Sequence, residues 1–154
     1  MSAMSPSRRI PMTTLTGGCH CGNIKVVFET SLDPRNLPLR ACQCSFCRRH
    51  GGVTASDPAG RLVVEVRQPE RLQRYRFALG ITDFLICRTC GIYVAAVMEI
   101  EGRSRGVLNV SVLDEREPFA RAPTPMEYGT EQVEDREARR MKAWMPAEVR
   151  IPSG

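Results

Sequence analysis

Seven cysteines in three tight groups constrain this chain more than any other feature. Cys19 and Cys21 lie in "GGCHCG", Cys42, Cys44 and Cys47 in "RACQCSFCRRHGG", and Cys87 and Cys90 in "CRTCG". An odd number cannot be paired into disulfides without a remainder. The first residues, "MSAMSPSRRIPMTTL", lack the apolar core of a secretion signal. A reducing, cytoplasmic setting is therefore expected, where C-x-C and C-x-x-C spacings read as metal sites.

The groups are not alike. The first and last each end in glycine, Gly22 and Gly91, whereas Arg48 follows the central group. A metal knuckle wraps the backbone around its ion and often drives the next residue to positive φ, where glycine costs least. Two knuckles of one kind, with two thiols each, make a closed four-thiolate site of the structural zinc type. That assigns Cys19, Cys21, Cys87 and Cys90 together and leaves Cys42, Cys44 and Cys47. Catalytic zinc takes three protein ligands and keeps a fourth position open, so seven divides as four plus three. Alternatives stand beside this division. His50 could join the trio to close a structural site of three thiolates and one imidazole, the thiols could hold an iron–sulfur cluster, or they could be core residues. His20 is expected to be an exposed knuckle residue.

The rest of the chain reads as short strands. "NIKVVFET" (23–30) alternates apolar and polar residues, and 61–68, 71–77, 82–87, 92–100 and 105–113 follow as further strands, with "EGRS" as a hairpin turn. "TEQVEDREARRMKAWM" (130–145) reads as one helix, capped by Thr130, stopped by Pro146 and docked by Val133, Met141, Trp144 and Met145 to close the core. Residues 1–14 are expected to be a flexible tail, and 15–154 a single, mostly β domain. The longest apolar stretch, "YVAAVM", is too short to span a membrane. Net charge is +5, with all but two of the 22 basic residues being arginine. The arginines are dispersed, with no basic block interleaved with aromatics, so a dedicated nucleic-acid role is not expected.

The segments "GGCHCGNIKVVF", "CQCSFCRRHGG" and "CRTCGIYV" resemble the glutathione-dependent formaldehyde-activating enzyme family, which includes the centromere protein V domain. The resemblance runs from about Gly17 to Asn109 and covers all seven cysteines in order. It implies a β-tent fold, a structural zinc on Cys19, Cys21, Cys87 and Cys90, and a second zinc on Cys42, Cys44 and Cys47. It also implies a carbon–sulfur lyase that joins glutathione to formaldehyde. The chain departs from the family at Gln43, where many members carry His, and at "GIYVAAVME" after the last knuckle; these departures bear on the substrate.

On this basis a thiol is expected to enter the open position beside Cys42, Cys44 and Cys47 and to add to a small aldehyde. Arg40, Arg48 and Arg49 are candidates to hold the carboxylates of a glutathione-like co-substrate, with Arg48 and His50 included in the catalytic set and His50 as a proton relay. The competing function is a non-catalytic, zinc-stapled module that binds nucleic acid or protein. The oligomeric state is not legible in the sequence.

Overall fold

The computed structural model describes residues 11–152. Alternation sets its frame. β1 (Thr13–Gly18) and β2 (Ile24–Thr30) pair antiparallel, and Ile24, Val26 and Phe28 turn one fully buried face inward, as a period of two demands. After β3 (Arg40–Cys42), a short helix α1 (Ser45–His50) and β4 (Thr54–Ala55), β5 (Arg61–Val66) adds to the other edge of β2. β6 (Leu72–Tyr75), β7 (Asp83–Cys87), β8 (Tyr93–Ile100) and β9 (Arg103–Asn109) form an antiparallel meander. Glu101 and Gly102 both take positive φ, 51° and 76°, between β8 and β9. That is the two-residue turn whose twist suits a hairpin, at the expected "EGRS". β10 (Thr124–Met126), α2 (Val133–Ala143) and β11 (Met145–Arg150) complete the fold, which is mostly β with one main C-terminal helix.

β11 ties two sheets together. Met145 and Pro146 pair antiparallel with β9, and Ala147–Arg150 then run parallel to β5. β9 also pairs with β4, β4 with β3, and β3 with β10. β8 is buried on both faces, which explains why "YVAAVM" is apolar without alternation. Val94, Ala95 and Val97 join a core cluster with Phe28, Leu62 and Cys87; Tyr93, Ala96, Met98 and Ile100 join a second cluster with Cys47, Phe84 and Trp144.

Two expectations for the C-terminus need correction. The helix is shorter than residues 130–145, and its N-cap is Gln132, which makes no side-chain cap bond, rather than Thr130. Beyond Ala143 the backbone is extended at Trp144 (φ −85°, ψ 157°). Met145 precedes Pro146, a position that disfavours helix, and the chain continues as a strand. Residues 1–10 of the expected tail lie outside the described residues, while Thr13 and Thr14 pair with Thr30 and Glu29.

A buried carboxylate pins the loop after β2. Asp57 is 3% exposed and accepts hydrogen bonds from Thr30 Oγ1, Ser31 N and Ser31 Oγ, each at 2.8 Å, and from Ala59 N at 3.0 Å. Burial pushes its pKa up, but the donors of Ser31, Thr30 and Ala59 outweigh burial and hold it below the ordinary carboxylate value. Among the described residues, no helix is long and apolar enough to cross a membrane.

Candidate metal centres and the cavity beside them

The β1–β2 turn and the β7–β8 turn each present two thiols, and the fold brings the turns face to face. Sγ atoms of Cys19, Cys21, Cys87 and Cys90 lie within 4.8 Å of one another, with Cys19 to Cys21 at 3.7 Å and Cys21 to Cys87 at 3.5 Å. These separations are far too long for disulfides. They are close to the roughly 3.8 Å between sulfurs that each sit about 2.3 Å from a tetrahedral zinc. The glycines behave as the knuckle reading requires: Gly22 has φ +84° and Gly91 φ +80°. A main-chain N–H points inward, with Ile24 N donating to Cys19 Sγ at 3.2 Å. Burial pushes the Cys19 thiol up to about 12. Burial also opposes ionisation of Cys90, but the amides of Cys21 and Ile92 and the neighbouring thiols bring it down to about 6. Crowded thiols share their protons unevenly in this way, because neighbouring thiolates repel.

The second group forms where β3 runs into α1. Cys42 ends the strand, Cys44 caps the helix with its Sγ accepting from Cys47 N at 3.4 Å, and Cys47 faces inward from the helix. Their three Sγ atoms also lie within 4.8 Å of one another, and among the described residues no histidine belongs to the group. The hydrogen bond with Cys47 holds the Cys42 thiol down at about 5, against burial and with help from Cys44 and Arg140. The same bond, burial and the neighbouring charges push Cys47 up. Both clusters could therefore hold a metal ion, and a soft sulfur donor set fits zinc.

The trio, unlike the quartet, borders a cavity of about 330 Å³. Its floor is Cys42, Cys44, Cys47, Arg40 and Tyr93. The β6–β7 loop supplies Phe77 to Thr82, and the far wall is Tyr128, Glu131, Arg136, Arg139, Arg140 and Trp144 from α2 and its flanks. Arg40 and Cys42 are two apart on β3 and share a strand face. The wall carries more positive than negative charge, with one carboxylate, Glu131, shared by two arginines and Glu127 at the cavity edge. Glu131 takes Arg139 at 2.8 and 2.9 Å and Arg136 at 3.4 Å, and Arg136 also donates to the Tyr128 carbonyl. Arg140 differs. It is 8% exposed, its Cζ lies 4.1 Å from the Trp144 ring centroid, and its Nη1 donates to Thr82 Oγ1 and Met98 Sδ. Its Nε is buried without a partner among the described residues. Burial lowers its pKa to about 10, with the nearby Cys42 acting in the opposite sense, so it stays cationic at neutral pH.

The family model described as glutathione-dependent formaldehyde-activating enzyme matches residues 14–128. The chain belongs to this family. A crystal structure of a Rhodobacter sphaeroides protein is also similar, at 31% identity over 73% of this chain and 99% of that chain, with a TM-score of 0.55. The glutathione-dependent formaldehyde-activating enzyme match includes all seven cysteines and ends before α2, whose Arg140 and neighbouring Trp144 line the cavity.

The expected site residues divide by location. In this family member Cys42, Cys44, Cys47 and Arg40 meet at the cavity. Arg48, Arg49 and His50 are exposed on α1 and are not among the cavity-lining residues. His50 packs on Phe46, ring centroids 4.5 Å apart. His20 is exposed, as expected. Sequence reasoning passed over Tyr93, Phe77, Phe84 and Arg140. Tyr93 sits in the departure "GIYVAAVME"; burial, then the charges of Cys47, Cys42 and Cys44, push its pKa well above the usual phenol range. The C-terminal helix, read from sequence as closing the core, also walls the cavity.

Proposed function

We propose that this chain is a zinc-dependent carbon–sulfur lyase that catalyses addition of a glutathione-like thiol to a small aldehyde. The observation that carries the reading is the asymmetry between the clusters. Four thiols close on one another between two turns, while three border a cavity large enough for a substrate. Cys19, Cys21, Cys87 and Cys90 would hold a structural zinc, and Cys42, Cys44 and Cys47 a second. Zinc on the trio would supply a Lewis-acidic centre with one free position, where a thiol loses its proton more readily.

In the overall reaction an S–C bond forms, the carbonyl π pair moves to oxygen, and the thiol's proton ends on that oxygen as a hydroxyl. Arg40 orients the aldehyde oxygen from the cavity floor, since among the described residues its guanidinium meets only Ser56, at 3.4 Å. Tyr93, kept protonated, offers a donor in the same cavity. Arg140 offsets part of the negative charge of three clustered thiolates, as its effect on Cys42 indicates. The apolar walls exclude water and strengthen each of these interactions.

The test is adduct formation followed by NMR, corrected for the spontaneous reaction. Wild type is expected to accelerate addition, and Cys44→Ser to lose at least a hundredfold of that acceleration and one of two zinc ions while its thermal melt persists. Undiminished acceleration in Cys44→Ser would overturn the reading.

A further inference from the structure

Arg136, Arg139 and Arg140 stand at positions i, i+3 and i+4 of α2 and so share one face. All three line the cavity beside the cysteine trio, and all three lie beyond residues 14–128, the stretch that the family model matches. They are largely withdrawn from water: the side chains of Arg136 and Arg139 are 14% and 22% exposed, and Arg140 is buried. The protein's own anions do not balance them. Glu131 is bonded to both Arg136 and Arg139 and carries one charge for the two. Glu127 is exposed at the cavity edge, where water screens it, and makes no ion pair among the described residues. Cys42 of the trio acts on Arg140. Between Arg136 and Arg139 one positive charge is left without a protein anion, and a half-buried charge in that position is costly.

Unused hydrogen-bond donors belong to the same row. Glu131 and the Tyr128 carbonyl take Nε and Nη2 of Arg136, and Glu131 takes Nε and Nη2 of Arg139, while Nη1 of each makes no hydrogen bond among the described residues. Arg140 uses Nη1 for Thr82 and Met98; its buried Nε has no partner, and its Nη2 makes no hydrogen bond among the described residues. The guanidiniums are also held in place. Arg139 Cζ lies 3.5 Å from the Tyr128 ring centroid and Arg140 Cζ 4.1 Å from that of Trp144. Fixed guanidinium forks match a carboxylate and lose little freedom on binding one. Burial, then the like charges of Arg139 and Arg136, bring the Arg140 pKa down to about 10, and an anion among the three would relieve that repulsion.

We propose that this arginine row is a carboxylate subsite that selects the thiol: the co-substrate is an acidic thiol, with a carboxylate on α2 and its sulfur at the cysteine trio. One cavity of about 330 Å³ joins the two positions, within the range of small-molecule sites. An amino-acid thiol also fits, because an ammonium at the mouth would meet Glu127. Neutral and cationic thiols lack the anion that the row requires. Arg48 and Arg49, expected from the sequence to hold such carboxylates, are not among the cavity-lining residues. The assignment of the ligand as the reacting thiol rests on the addition reading above; the carboxylate subsite rests on binding alone.

Trp144, the chain's one tryptophan, stacks on Arg140 and reports through its single indole N–H resonance. The probe is S-methylglutathione, whose capped sulfur cannot add to an aldehyde. In the zinc-loaded full-length protein it is expected to shift that resonance saturably, and its dimethyl ester to need at least a tenfold higher concentration. Arg139→Gln is expected to raise the half-saturating concentration of the acid at least tenfold, and Arg48→Gln less than twofold. Arg139→Gln also releases Glu131 and can loosen the fold, so the comparison of acid with ester on wild type decides. Equal binding of acid and ester, or no saturable shift with the acid, overturns the subsite. The second measurement is acceleration over the spontaneous addition to formaldehyde, with glutathione and with its dimethyl ester as the thiol. It is expected to be at least tenfold larger for glutathione, and equal acceleration overturns selection by charge. Carboxylate-dependent binding without acceleration for either thiol would sustain the subsite and overturn the addition reading.

Discussion

Arg40 and the pair Arg48 and Arg49 carry the same charge within ten residues, yet they sit in different places. Arg40 reaches the cavity from a strand face it shares with Cys42, while Arg48 and Arg49 project from α1 into solvent. A charge-assisted hydrogen bond to a ligand is worth about 1.5–3 kcal/mol. Arg40→Ala is therefore expected to raise KM for the aldehyde about tenfold or more, and Arg48→Ala or Arg49→Ala to change it less than twofold, as steady-state kinetics will show. Sequence could not separate these arginines, because a six-residue helix decides which of them faces inward. It did separate the cysteines, because positive φ at Gly22 and Gly91 leaves a residue-level mark. Asp57 left no such mark, since its four donors come from three positions, the end of β2 and two loop residues, that only folding gathers. Its folded pKa is depressed, so its contribution is present above the unfolded carboxyl pKa of about 3.9 and is lost as pH falls through the lower folded value. Asp57→Asn is expected to cost about 1–3 kcal/mol at pH 7, with a gap to wild type that narrows below pH 4 in denaturant titrations.

At the scale of elements, α2 and β11 do the most to shape the site. The C-terminal helix was legible from its composition and charge gradient. Its end was not, because the register that recruits Ala147–Arg150 to β5 depends on a strand more than 80 residues earlier. Glu131 anchors the start of α2 through Arg136 and Arg139, which themselves wall the cavity. Contact with Arg139, opposed by burial and reinforced by Arg136, holds the Glu131 carboxyl below its usual range. The stabilisation is thus present above the unfolded glutamate pKa of about 4.3 and is lost as pH falls through the folded value. Glu131→Gln is expected to lower stability by about 1 kcal/mol at pH 7, with a gap to wild type that narrows as pH falls below about 4, measured by chemical denaturation across that range.

Across the whole molecule, two metal-capable clusters sit against two different core clusters. Cys19 and Cys87 pack with Phe28 and Leu62, and Cys47 with Phe84 and Trp144. The quartet links turns whose cysteines are separated by 66 residues between Cys21 and Cys87. A crosslink of that span restricts the unfolded chain strongly. Cys87→Ser is accordingly expected to lose the cooperative thermal melt, whereas Cys44→Ser keeps it, a contrast that calorimetry reads directly. Strands β2 and β5 to β9 and the four-plus-three partition were legible because each depends on local spacing. The cavity was not, because its walls come from β3, the β6–β7 loop, β8 and the α2 region, and sequence order does not reveal which of these meet. The central claim is that one cluster is closed and the other keeps a position for a ligand. Cadmium-113 NMR of the fully cadmium-loaded protein tests it most directly. The account predicts two resonances, one unmoved and one shifted by added thiol. A single resonance, or two that both ignore saturating thiol, would contradict it.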